Sequence, residues 1–256
     1  MTVLARETLA ELIGTAFLVA AVVGSGIAAA RLSPGDGGMQ LLESSLVTGA
    51  ALVAIILAVG PVSGAHLNPV VTLADRVFGG LTSREAVSYV GAQLVGGAVG
   101  AVLANLMFEL PAVSVSTHGR SAGSLWLGEV VATFGLLLVA FGVARSARPS
   151  AAPFAVGGYI AAAYWFTSST SFANPAVTVA RTMSDSFAGI APASVPAFLV
   201  AQVVGAALAV GAVGLLYPDA AGASTRLVVP HEPAIAATPT SDPGALDDHP
   251  VDARPH

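Results

Sequence analysis

Two stretches decide the fold, SGAHLNPVVTLA at residues 63–74 and TSFANPAVTVAR at residues 170–181. Each holds an Asn-Pro pair followed by small and branched apolar residues. Proline is tolerated in the first turn of a helix, where its missing N–H is no loss, and Asn immediately before it is a favoured cap. Asn68-Pro69 and Asn174-Pro175 therefore each predict the start of a short helix. The pairs sit near the ends of charge-free runs 44–74 and 149–180, of 31 and 32 residues, whereas one helical crossing of a bilayer takes about 20. The excess predicts a segment that re-enters the membrane. If both short helices begin at mid-membrane, their positive dipole ends face each other and repel a cation, and each Asn amide offers a donor to a passing oxygen.

The remaining composition agrees with a chain solvated by lipid. Of 256 residues, 55% are hydrophobic and 10% charged, with a mean hydropathy of +0.79; a soluble domain carries roughly 25% charge. There is no Cys, and all ten basic residues are Arg. Disulfides, thiolate metal sites, Schiff-base lysines and cysteine nucleophiles are excluded, and no basic surface suits nucleic acid. The net charge of −5 describes a tail: residues 1–217 carry eight Arg against nine acids, residues 218–256 two against six. That tail also holds seven prolines and His231, His249 and His256, and it reads as a disordered, acidic, Pro-rich cytoplasmic segment rather than a metal site.

Charge-free runs at 12–30, 44–74, 86–108, 130–144, 149–180 and 186–218 give six spans. Residues 1–30, with Arg6, an apolar stretch and Ala28-Ala29-Ala30, could pass for a signal peptide, but Glu11 inside that stretch fits the role poorly, and the segment reads as the first span. Arginine counts, seven on one side (Arg6, Arg76, Arg84, Arg145, Arg148, Arg226, Arg254) against three (Arg31, Arg120, Arg181), place both termini in the cytoplasm.

Three blocks recur in order: Glu11-Leu-Ile-Gly-Thr15 with Glu129-Val-Val-Ala-Thr133, the two Asn-Pro segments, and Ala92-Gln93 with Ala201-Gln202, each followed by glycine at Gly96 and Gly205. Each half (about 1–106 and 124–217) contains three spans, and an odd number inverts the second half relative to the first. Gly96, Gly97 and Gly100, like Gly205, Ala206 and Ala209, occupy helix-contact spacings. Gln93 and Gln202 read as hydrogen-bonding glue between helices more than as pore lining.

The two Asn-Pro segments resemble the signature segments of the aquaporin and glycerol-facilitator family, the major intrinsic proteins, over residues 1–217. The resemblance implies an all-α membrane protein, six transmembrane helices plus two re-entrant half-helices in an inverted 3+3 repeat, usually a homotetramer with one pore per subunit. It makes Asn68 and Asn174 the pore donors and Pro69 and Pro175 the half-helix starts. Val70 stands where the first motif usually ends in Ala, as the second does at Ala176. Glu11 and Glu129 resemble buried glutamates that hold the re-entrant loops, and His66 a loop-positioning histidine.

The family narrows its outer pore with four side chains, one of them an Arg directly after the second Asn-Pro-Ala. Here that residue is Val177. Counting along the chain as in the family gives Thr48, Ala162 and Ser171 as the other three, with Phe172 in place of Ser171 if the register shifts by one. All four are uncharged and of small or medium size, which predicts a wide filter. Arg181, one helical turn beyond Val177, reads as an interfacial arginine reaching solvent or lipid headgroups, with a charge at the outer mouth as its alternative.

The resulting expectation is a passive plasma-membrane channel for water and small uncharged solutes, without cofactor, metal or catalysis. Glycerol-like polyols, urea and undissociated metalloid acids such as arsenite enter through the resemblance, since bacterial members lacking the filter Arg resemble channels associated with arsenic resistance. A coupled transporter would need an ionisable midplane residue to bind its driving ion, and only Glu11 and Glu129 qualify, both with structural uses. A formate- or nitrite-type anion channel shares the span count but not the paired Asn-Pro half-helices. No nucleophile-elbow, phosphate-loop or His-Glu-x-x-His pattern supports an enzyme.

Overall fold

The computed structural model describes residues 1–146 and 148–218; most of the tail segment expected at 218–256 lies outside them. The described residues form eight α-helices and short 3-10 turns, with no strand. Helix α1 (Val3–Leu32) begins where the Thr2 hydroxyl accepts the amide of Ala5 at 3.2 Å, and so runs well upstream of the charge-free stretch to include Glu7 and Glu11. Val19 and Val23 within it are fully buried, making the first span part of the core.

Helix α2 (Gly37–Ser63) is capped by Asp36 and stops at Gly64, whose φ of 85° lies in the left-handed region that glycine alone adopts without strain. The chain turns back and starts the short α3 (Pro69–Val77), with Asn68 as N-cap. Helix α4 (Ser83–Met107) opens on a reciprocal capping box between Thr82 and Glu85.

The second half repeats this order with α5 (Gly123–Ala144), α6 (Ala152–Phe166), the short α7 (Pro175–Ala180) and α8 (Val195–Leu216). Both over-long runs divide as expected, into a span, a loop and a half-helix. The spans α1, α2, α4, α5 and α8 have the length and apolarity to cross a membrane. The sixth, α6, has 15 residues and reaches crossing length with the 3-10 turn Pro149–Ala151 that precedes it, together about 28 Å at 1.5 and 2.0 Å per residue.

Equivalent glycines set the packing in each half. A methyl group on Gly96 of α4 would collide with the carbonyl of Leu12 on α1, and one on Gly205 of α8 with the carbonyl of Val130 on α5. Lipid supplies no hydrophobic drive to bring helices together, so backbone contact through glycine takes its place. Large apolar side chains such as Phe17, Leu57, Val95 and Leu208 face outward, while Glu11, Gln93, Glu129 and Gln202 are fully buried. On one side of the bundle, the connection after α4 pairs with the segment after α7, Ser114 and Ser116 donating their amides to the carbonyls of Met183 and Thr182.

Candidate pore and its constriction

The loops entering the half-helices have an unusual backbone. Ala65 and Leu67 in the first, and Thr170, Ser171 and Ala173 in the second, take φ between 47° and 63°, a region costly for residues with a Cβ. Two buried glutamates hold this geometry. Glu11 accepts the amides of His66 at 2.9 Å and Leu67 at 2.7 Å, the Ser63 hydroxyl at 2.7 Å and the Gln93 amide at 2.8 Å. Glu129 accepts the amides of Phe172 and Ala173 at 2.8 and 2.9 Å and the Gln202 amide at 2.6 Å. Gln93 and Gln202 also donate to Thr72 and Thr178, at 2.9 and 2.8 Å. The same tie therefore joins loop, half-helix and outer helix in both halves. Because a trans peptide turns its N–H and C=O in opposite directions, amides drawn to the glutamates aim the carbonyls of Ala65, His66, Ser171 and Phe172 the other way.

The two half-helix tips meet. The Asn68 amide nitrogen donates to the carbonyl of Ala173 at 2.8 Å, and the Asn174 nitrogen to the carbonyl of Leu67 at 2.8 Å. Each side-chain oxygen caps its own helix: Asn68 accepts the amide of Val70 at 3.1 Å, and Asn174 those of Ala176 and Val177 at 3.0 and 3.3 Å. Each Asn nitrogen carries a second N–H, and both residues line the cavity through the bundle. Pro69, Val70 and Ala176 are buried in the tips, and Pro175 is partly buried.

That cavity is walled by α1, α2, α5 and α6, with α4 and α8 outside it. Leu18 and Val22 of α1 correspond to Leu136 and Ala140 of α5; Leu52 and Ile56 of α2 face it with Val156 and Ile160 of α6. Beyond the tips it is lined by Thr48, Tyr164, Ser171, Phe172, Val177 and Arg181. Thr48 and Tyr164 share a hydrogen bond of 3.1 Å between their hydroxyls. Both Ser171 and Phe172 line it, so the one-residue ambiguity becomes two neighbouring contributors.

Two expectations are corrected. Ala162 is exposed on the outside of α6 and does not line the cavity; Val156, Ile160 and Tyr164, spaced by four, occupy the inner face, and Ala162 lies about 200° around the helix from Ile160. Tyr164 lines the cavity on that helix instead, and the 3.6-residue period of α6 is the signal that fixed-offset counting passes over. Arg181 does not reach solvent or headgroups: it is 3% exposed, its Nε donates to the carbonyl of Ala188, and its guanidinium lies 3.5 Å from the Phe172 ring centroid.

His66 is buried behind the first tip, its Nδ1 3.2 Å from the Thr72 hydroxyl, its Nε2 3.6 Å from Asp75, and its ring edge-on to Tyr89. These contacts fit a positioning role. Outside the spans, exposed Asp185 accepts the Thr117 amide at 2.9 Å, and that bond holds its carboxyl below the usual carboxylate range. Among the described residues no group of three His, Cys, Asp or Glu could hold a metal ion.

Six spans, two opposed half-helices and a polar seam through an otherwise apolar bundle define a multi-pass membrane channel. Residues 1–171 match the family described as Major intrinsic protein. The chain is 47% identical over 206 residues to "Aquaglyceroporin AqpS" of Rhizobium meliloti (strain 1021), covering 80% of this chain and 88% of the relative. It is 33% identical over 236 residues to "Probable aquaporin AqpM" of Archaeoglobus fulgidus, covering 80% and 94%. The X-ray structure of the aquaglyceroporin from Plasmodium falciparum shares the fold, with a TM-score of 0.63 at 21% identity over 85% of this chain and 98% of that one. The chain belongs to the major intrinsic protein family and is a passive channel, not an enzyme.

Proposed function

We propose that the protein conducts water and small uncharged hydroxylated solutes through a pore in each subunit, and that glycerol-like polyols, urea and undissociated metalloid acids fall within its range. The crossing of the two Asn tips carries this reading: Asn68 and Asn174 each spend one N–H on the opposite loop and retain another for a solute oxygen. Thr48, Tyr164, Ser171 and Val177 form the constriction, and Val177 offers a solute only methyl groups. The similarity to a curated aquaglyceroporin supports solutes larger than water. Glu11 and Glu129 act as loop supports with His66.

The arginine asymmetry supports a plasma-membrane orientation with both termini in the cytoplasm, and the outward apolar faces suit lipid and assembly as a homotetramer. Light scattering on proteoliposomes challenged with water, glycerol, urea and undissociated arsenite tests the reading. Each flux should exceed that of empty liposomes and stop at equal concentration. Accumulation abolished by collapsing a proton or sodium gradient would overturn it.

A further inference from the structure

We propose that Arg181 supplies the fixed positive charge of the pore from one helical turn beyond Val177, and that this charge excludes cations while Val177 leaves room for larger neutral solutes. The inference rests on the channel reading and assigns the specificity of its outer constriction.

Asn174, Val177 and Arg181, at i, i+3 and i+7, share the inner face of α7 and the turn that continues it, and all three line the cavity. Among the residues lining that cavity, Arg181 is the one with a permanent charge. It is held in place on two sides, by its Nε bond to the Ala188 carbonyl and by the Phe172 ring. Its buried Nη1 has no hydrogen-bond partner among the described residues, and none of their carboxylates forms an ion pair with it. A buried cation left without a carboxylate is costly, and the aromatic face offsets part of that cost. The remaining N–H is available to water or a solute hydroxyl. Arg120 adds to the field, with its guanidinium 5.0 Å from the same ring centroid.

The equivalent position in the first half-helix makes the contrast. Asp75 stands seven residues beyond Asn68, as Arg181 stands seven beyond Asn174. It is fully buried but does not line the cavity, and its carboxylate lies 3.6 Å from His66. The inverted repeat thus places a buried ionisable residue seven positions past each Asn, and of the two Arg181 borders the cavity.

The test compares Arg181→Leu, Arg181→Gln and Arg181→Lys in full-length protein reconstituted into liposomes loaded with a pH-sensitive dye. Leucine and glutamine remove the charge; lysine keeps it while losing the planar stack and the Nε clamp. The proton is the probe, since it travels along pore water as a positive charge and so feels the field of a fixed cation beside the path. After a pH step, the leucine and glutamine variants should admit protons about tenfold faster or more than wild type, consistent with a unit charge a few ångströms from the path. The lysine variant should stay near wild type once each proton rate is divided by that variant's own water flux. If all three variants leak alike, or none leaks, Arg181 is a structural clamp and the proposal fails while the channel reading stands. If wild type passes no more water than empty liposomes, both fall together. Should the leucine variant not fold, the glutamine and lysine pair makes the same comparison.

Discussion

Val177 lines the cavity with methyl groups alone, and this makes its replacement informative. In Val177→Arg the new guanidinium would lie one turn inward of Arg181, fill the space beside Ser171 and add a second charge. Glycerol and arsenite flux should fall about tenfold, equivalent to about 1.4 kcal/mol of barrier, with a much smaller effect on water. Proteoliposome swelling measures the ratio, and an equal loss for every solute would remove Val177 from the constriction. Glu129 is the residue on which the second loop depends. Glu129→Ala leaves the amides of Phe172 and Ala173 without acceptors at about 1–3 kcal/mol each, and their left-handed neighbours add to the strain. The detergent-solubilised variant should lose several degrees of thermal stability or fail to fold, with Glu129→Gln intermediate because it keeps one acceptor oxygen. Unchanged melting in a fluorescence-detected size-exclusion assay would contradict the tie.

Between helices the decisive contacts are the glycine crossings. Gly96→Val would drive a branched side chain into the Leu12 carbonyl, costing about 3 kcal/mol or more, and should abolish folded protein on size exclusion. Gly91, on the same helix with open space around it, is the control and should tolerate valine. These elements were largely legible in the sequence because the physics behind them is local. Charge-free length counts crossings, Asn-Pro starts a helix, and three matched blocks expose the duplication. Glu11, Glu129, Gln93 and Gln202 stood out as polar residues in apolar runs, although their joining into one tie per half depends on loop geometry. Two placements were not legible from spacing. A fixed offset from Asn174 points to Ala162, but such counting ignores helical phase once the intervening loop changes shape. Arg181 lies at the end of an apolar run, where an arginine ordinarily snorkels; what keeps it inside is the Ala188 carbonyl and the Phe172 ring, which fold back over it.

For the molecule as a whole, residues 1–218 already contain both halves, both loops and the whole cavity wall. Deletion of 219–256, acidic and Pro-rich, should therefore leave membrane insertion, oligomeric state and water flux unchanged, measured on the truncated protein in the same liposomes. Loss of assembly would assign the segment a docking role. The halves are locked to one another by bonds spanning most of the chain: the Leu67 carbonyl finds its Asn174 donor 107 residues later, and Asn68 finds its acceptor 105 residues later. At a synthesis rate of about 5–20 residues per second, roughly 5–20 s separate the two partners leaving the ribosome. Until then the first re-entrant loop has a bare carbonyl and a bare amide, which lipid tails cannot satisfy. The first half-helix gains these partners only once its twin has been made. The crossed tips are therefore a contact that can close only after the second half has been made.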